Sequence, residues 1–465
     1  MGIDRMLRSV ARGILDHRDR LSGWKPHREA FLTSISRDRE SLARDAEDRL
    51  RRILNHAYET SPYYRGAWNA IGFRPSSSFT SQDLQQLPFL TKDIIREHKD
   101  SLVSERFRSD ELDLSFTGGT TGTQTSFYLD HTCKISRVGR QWGMLELCGY
   151  RPGMRRALVW GLDRDLPPQS VRGNFKQWFR RYANRDETFC CDVMSERSML
   201  EFHGRLLRFR PEVLYGYPSA LTQLGRFIED RALESIQVGT VITTAERLSG
   251  ANRRRLIRMY GGEVFNLYCT REYGCVGFEC GRHQGFHIDI GSMFVEITKD
   301  GERVEPGQAG EIVITDLLNY GMPFIRSRTG DIGALSPEPC ACGSPMPVLM
   351  GLDGRESDVL YRPDGSVVPG LTLTDLFNDL PSTRYIQFVQ ESAHQLDVLL
   401  VVTKDFSEQV RTQVVWQVRQ IMGEDIEVRV RLVDEIERNP RSGKIQEVIC
   451  KIDRQHELLP RETEA

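Results

Sequence analysis

EVLYGYPSALTQLGRFIEDRALESIQVGTVITTAE, residues 212–246, reads as strand, helix and strand in succession. EVLYGYP and QVGTVITTAE are short apolar runs bounded by glycine, proline or polar residues, whereas SALTQLGRFIEDRAL spaces its apolar residues at helical steps. The pattern continues on both sides. RALVWG precedes it, and GANRRRLIRMYG, GEVFNLY and GEIVITD follow. Strands alternating with helices between 155 and 315 predict parallel α/β layering.

Outside this block the chain changes character. SLARDAEDRLRRILNHAY, residues 41–58, places Leu42, Ala46, Leu50, Ile53, Leu54 and Ala57 on one side and predicts a helix. Ser81, with Leu84 onward, predicts a short capped helix. After MGLDGRESDVLYRPDGSVVPG comes a small mixed unit: YIQFVQ, QLDVLLVV and IEVRVRLV read as strands and FSEQVRTQVVWQVRQIM as a helix. At 465 residues the chain exceeds the roughly 250–300 at which one core stops growing. The expected division is a large domain over 1–357 with a helical beginning, and a small α+β domain over 358–465.

Composition excludes several classes. A hydrophobic content of 39% with 28% charged residues is ordinary for a globular protein, and no run approaches the roughly 18 apolar residues of a membrane span. The first twenty residues lack the apolar centre of a secretory signal. Met6 stands where a myristoylation signal wants a hydroxyl, so a cytoplasmic location is expected. A net charge of −2 argues against a nucleic-acid partner held by bulk electrostatics, and no membrane partner is expected either. Oligomeric state is not legible.

FTGGTTGTQTSFYLD, residues 116–130, is a glycine- and threonine-rich window that fits neither of two common phosphate motifs: no lysine follows the glycines and no G-x-G-x-x-G opens a helix. Taken with TTAERL at 243–248, NLYCTREYG at 266–274, RSRTGDIG at 326–333, GRESD at 354–358 and NPRSGKIQE at 439–447, it resembles the adenylate-forming superfamily of acyl-CoA ligases and synthetase adenylation domains. SPYYRGAW with LPFLTKDIIREH, YGYPSAL, and FEC…GFHI followed by CACG resemble the phenylacetate-CoA ligase branch, including ligase-like proteins of capsule and secondary-metabolite pathways.

The resemblance implies ATP-dependent activation of a carboxylic acid as acyl-AMP, release of pyrophosphate, and transfer to coenzyme A. It assigns Thr117, Gly118, Gly119, Thr120, Thr121 and Gly122 to the phosphates, where glycines admit backbone N–H groups and threonines donate hydrogen bonds. Relatives often carry a lysine next; here Thr123 and Gln124 stand. Glu272 matches the acid that holds Mg²⁺, although YCTRE departs from the usual Y-G-x-[ST]-E. Asp331 matches the acid on the ribose hydroxyls and Arg355 the arginine before the hinge, Asp358. Ala245, Glu246 and Tyr268 are expected to line the adenine site. Lys444 matches the lysine that neutralises charge between the acyl carboxylate and the α-phosphate. Trp160, Gly161, Tyr215, Gly216, Tyr217 and Pro218 fall where the branch lines its acyl pocket, and aromatic walls suit an aryl or arylacetic acid.

The ten cysteines are unevenly placed. Cys280, His287, Cys340 and Cys342 form a C-x₆-H…C-x-C set suited to a structural, tetrahedral Zn²⁺, with Cys275 and His283 as substitutes. A group of reduced thiols is the plainer reading. Two other functions stay open: an adenylating ligase whose acceptor is an amine or another nucleophile, and a catalytically lapsed scaffold that binds a ligand or partner.

Overall fold

The computed structural model describes residues 23–76, 78–116, 125–151, 153–160, 185–191, 194–352, 359–364, 367–369, 373, 377, 380, 382–437 and 446–452. The chain divides into two compact units. One takes in Met1–Leu248, Leu256–Thr329 and Gly333–Leu352; the other takes in Ser249–Arg255, Gly330–Ile332 and Asp353–Ala465.

The architecture is mixed α/β, as expected. A hairpin of β1 (Leu112–Phe116) and β2 (Ser126–Asp130) stands apart from a twelve-stranded sheet. One half of that sheet is built from β3 (Arg156–Trp160), β4 (Asp186–Cys190), β5 (Val213–Gly216), β6 (Thr240–Thr244) and β7 (Glu263–Thr270). They run parallel in the order β4, β3, β5, β6, β7. Every residue of β5 and β6 is buried, which is why these strands read as unbroken apolar runs. The helix Pro218–Asp230 connects β5 to β6 and buries Ala220, Leu221, Leu224 and Ile228 on one side.

Beyond β7 the sheet turns antiparallel. It continues through β8 (Gly274–Glu279), β9 (Phe286–Ile288), β14 (Val348–Met350), β13 (Ser327–Leu335), β12 (Gly310–Asp316), β10 (Met293–Lys299) and β11 (Glu302–Arg303). GEIVITD, expected among the parallel strands, is β12 and pairs antiparallel with β10, Ile297 opposite Ile312. An apolar run buried on both sides does not reveal the direction of its neighbour.

The helix predicted over 41–58 spans Arg39–Thr60 and buries Leu42, Ala46, Leu50, Ile53, Leu54 and Ala57, with Asp38 accepting the N–H of Ser41 at 2.7 Å. Ser81 does not cap a helix. Only a 3₁₀ turn, Asp83–Gln86, forms there; the Ser81 N–H donates to Glu47, and Asp83 takes the Thr80 N–H at 2.8 Å. In the second unit β15 (Val359–Tyr361) pairs with β16 (Val367–Pro369), and a sheet runs β19 (Glu427–Leu432), β18 (Gln395–Val402), β17 (Thr383–Ser392), β20 (Val448–Cys450). The helix Glu408–Met422 lays Val414, Val418 and Met422 into a core with Phe388, Val398 and Leu400.

Candidate active site and cysteine–histidine cluster

The carboxyl ends of the parallel strands gather most of the described candidates, as in open α/β sheets generally. Trp160 ends β3 and Gly216 ends β5. The half-buried Trp160 ring lies 5.5 Å from that of Tyr215 and 5.0 Å from that of Tyr217, so three aromatics meet at one strand edge. Gly216 is required by close approach: an added Cβ would overlap the Val159 carbonyl oxygen and sit 3.0 Å from Val159 Cβ. Pro218 opens the helix Pro218–Asp230, where its missing N–H costs nothing, and Tyr217 is the N-cap. Burial pushes the Tyr215 phenol well up, with Cys269 and Cys275 close by.

The turn after β6 is held from both sides. Thr243 Oγ1 donates to Phe265 O at 3.1 Å and to Asn266 Oδ1 at 3.0 Å, and Thr244 Oγ1 donates to Leu267 O at 3.2 Å. Ala245 follows with φ 66°, a left-handed conformation that L residues seldom adopt. Both Glu246 carboxylate oxygens accept from Ser219, one from its N–H and one from its hydroxyl, each at 3.0 Å. Sequence reasoning passed over Ser219. Its only local signal is its place directly after the helix-opening proline. Tyr268 is buried in β7, its ring 6.1 Å from that of Phe286.

Glu272 sits half-buried in the turn joining β7 to β8. Thr270 Oγ1 accepts the Tyr273 N–H at 3.1 Å, so this hydroxyl shapes the turn, and Gly274 closes it at φ 75°. Arg137, not singled out in the sequence, lies against Gly274 and pairs with Asp316 at 2.5 Å. Asp331 is half-buried in β13, directly after Gly330 at φ 78°.

The hairpin of β1 and β2 brings Phe116 opposite Ser126. Asp130 anchors its far end: its carboxylate accepts the N–H groups of Cys133 at 2.7 Å, Tyr320 at 2.8 Å and Gly321 at 3.1 Å. Thr117, Gly118, Gly119, Thr120, Thr121, Gly122, Gly161, Arg355, Asp358 and Lys444 lie outside the described residues.

The ligand atoms of Cys280, His287, Cys340 and Cys342 all fall within 4.8 Å of one another. Cys280 Sγ is 3.7 Å from Cys340 Sγ, and Cys342 Sγ is 3.4 Å from His287 Nε2. A zinc tetrahedron with Zn–S about 2.3 Å and Zn–N about 2.0 Å sets S···S at about 3.8 Å and S···N at about 3.5 Å. These two separations match such an ion, and the set as a whole is gathered within 4.8 Å. Burial first, then the neighbouring thiols, pushes Cys280 up to about 11. At Cys340 burial acts upward but is outweighed by hydrogen bonds from the Cys342 backbone and the neighbouring thiols, which hold it below the ordinary thiol value. The substitutes are placed elsewhere: Cys275 faces Cys269 across β7 and β8, and His283 Nδ1 lies 3.4 Å from Glu279.

Among the described residues no helix is long and apolar enough to cross a membrane. A family model described as the CapK C-terminal domain matches residues 360–451. A phenylacetate-coenzyme A ligase of Thermus thermophilus is 28% identical over 342 residues, covering 71% of this chain and 74% of that protein. Protein CapK of Staphylococcus aureus is 24% identical over 345 residues, covering 70% and 71%. In fold, the chain is similar to a crystal structure of 2-hydroxyisobutyryl-CoA ligase in the postadenylation state with an acyl-AMP, at a TM-score of 0.72 and 20% identity, over 88% of this chain and 89% of that one.

Proposed function

We propose that this homologue of phenylacetate-CoA ligases and CapK, which shares its fold with acyl-CoA ligases of the adenylate-forming type, activates a carboxylic acid with ATP and passes the acyl group to coenzyme A. The likeness to the Thermus ligase over 71% of the chain carries the reading. A carboxylate oxygen attacks the α-phosphorus and pyrophosphate leaves; the thiol sulfur then attacks the acyl carbon and AMP leaves. Such chemistry asks a protein mainly for positioning and charge neutralisation.

Thr117–Gly122 would hold the phosphates, Asp331 the ribose, and Ala245 with Tyr268 the adenine. Glu272 suits Mg²⁺: it is a half-buried carboxylate that carries no ion pair among the described residues. Magnesium, when bound, supplies charge neutralisation at the phosphates. Lys444 would stabilise the charge that grows on the transferring carboxylate and α-phosphate, with Arg355 on the nucleotide and a pivot at Asp358, between domains of 1–357 and 358–465. Trp160, Tyr215 and Tyr217 favour an aryl or arylacetic acid. The Cys280, His287, Cys340 and Cys342 cluster would hold a structural Zn²⁺, all four positions filled by protein.

The test is acid-dependent pyrophosphate release with phenylacetate, benzoate, anthranilate and 2-hydroxyisobutyrate, with and without coenzyme A, followed by mass spectrometry of the products. Acyl-AMP without coenzyme A and thioester with it are expected. Acyl-AMP that persists with coenzyme A present would move the acceptor to an amine or another nucleophile, and no release with any acid would leave the scaffold reading.

A further inference from the structure

Resting on the activity proposed above, we infer that Glu246 is a positioning residue that ties the nucleotide turn to the wall of the acyl pocket, and that it does not itself contact adenine. Both its carboxylate oxygens are engaged across the chain, on the N–H and hydroxyl of Ser219 at 3.0 Å each. Ser219 occupies the first turn of the helix Pro218–Asp230, whose N-cap Tyr217 meets Trp160 ring to ring at 5.0 Å. A carboxylate on exposed N–H groups at the positive end of a helix is a charge-assisted bond.

The other flank of the turn is secured independently. Thr243 and Thr244 fasten it to β7 through their buried hydroxyls, in the two residues before the left-handed Ala245. Removing Glu246 therefore leaves the adenine side held by β7 and releases the acyl side. The effect falls on the acid, although the residue belongs by sequence to the nucleotide motif. Helix Pro218–Asp230 keeps its buried face in either case.

The experiment compares the parent with Glu246→Ala, Glu246→Gln and Ser219→Ala by ATP–pyrophosphate exchange, measuring KM for ATP and for the most active acid of the four-acid panel. Glu246→Ala, which removes both charge-assisted hydrogen bonds to Ser219, should raise the acid KM at least about tenfold, with the ATP KM within about threefold. Glu246→Gln, whose amide oxygen can still accept the Ser219 N–H, should recover most of the loss. Ser219→Ala, which keeps the backbone bond, should raise the acid KM about threefold and carries the test should Glu246→Ala fail to fold. A rise confined to ATP, an equal rise in both constants, or no change overturns the inference. A parent that exchanges with none of the acids overturns the proposed activity and this inference with it, whereas a parent that exchanges beside indifferent variants overturns the inference alone.

Discussion

Gly216→Ala tests the packing that shapes the aromatic edge. Gly216 stands opposite Val159 in the parallel ladder of β3 and β5. The new methyl would overlap a backbone carbonyl oxygen and press on Val159 Cβ at 3.0 Å, so a strand has to move. Overpacking of this kind costs about 1–3 kcal/mol. The lost freedom of the unfolded chain returns about 0.4–1 kcal/mol, for a net destabilisation between about 0 and 2.6 kcal/mol, centred near about 1.3 kcal/mol. Gly225→Ala is the comparison, because its methyl would meet Met259 Sδ, Cγ and Cβ, atoms of one unbranched side chain that can shift further than a backbone carbonyl can. In the interior of a helix that change also gains up to about 1 kcal/mol of propensity, so it should cost less than Gly216→Ala. The assay is urea unfolding of parent and both variants at one protein concentration, read as midpoints at a common slope. Two variants with equal midpoints would refute the argument that backbone contact, not mere proximity, reserves position 216 for glycine.

Three further outcomes are expected. Lys444→Ala should lower acid-dependent ATP–pyrophosphate exchange at least about 100-fold, or about 2.7 kcal/mol, with ATP binding nearly unchanged by calorimetry; exchange at the parent rate removes Lys444 from the adenylation step. Protein purified without added zinc should contain about one equivalent by metal analysis, and Cys342→Ser should lose both metal and thermal stability; a metal-free, equally stable parent makes the four residues ordinary thiols and an imidazole. Glu296→Gln should destabilise by about 3 kcal/mol, because it removes the carboxylate, 3.2 Å away, that neutralises the buried Arg326 guanidinium and leaves that charge on the neutral carbonyls of Gln85 and Leu87, and unfolding midpoints check this.

The features legible in sequence are those whose cause is local. The stripe from Leu42 to Ala57 and the strand–helix–strand of 212–246 follow from side-chain periodicity, which acts within a few residues and survives into the fold. The C-terminal strands and the helix Glu408–Met422 are of the same kind. Residue type likewise marked Cys280, His287, Cys340 and Cys342 as potential ligands, because thiolate and imidazole chemistry belongs to the side chain itself. Tertiary structure decided what depends on distance. It folded β9 against β14 and set His287 opposite Val348, bringing its ring to the thiol of Cys342. It turned GEIVITD into an antiparallel strand through its pairing with β10. It brought the carboxylate of Glu246 onto the N–H and hydroxyl of Ser219, 27 residues away. Such choices are made by packing and by the need to satisfy buried polar groups, and those forces act between residues that the order of the chain keeps apart.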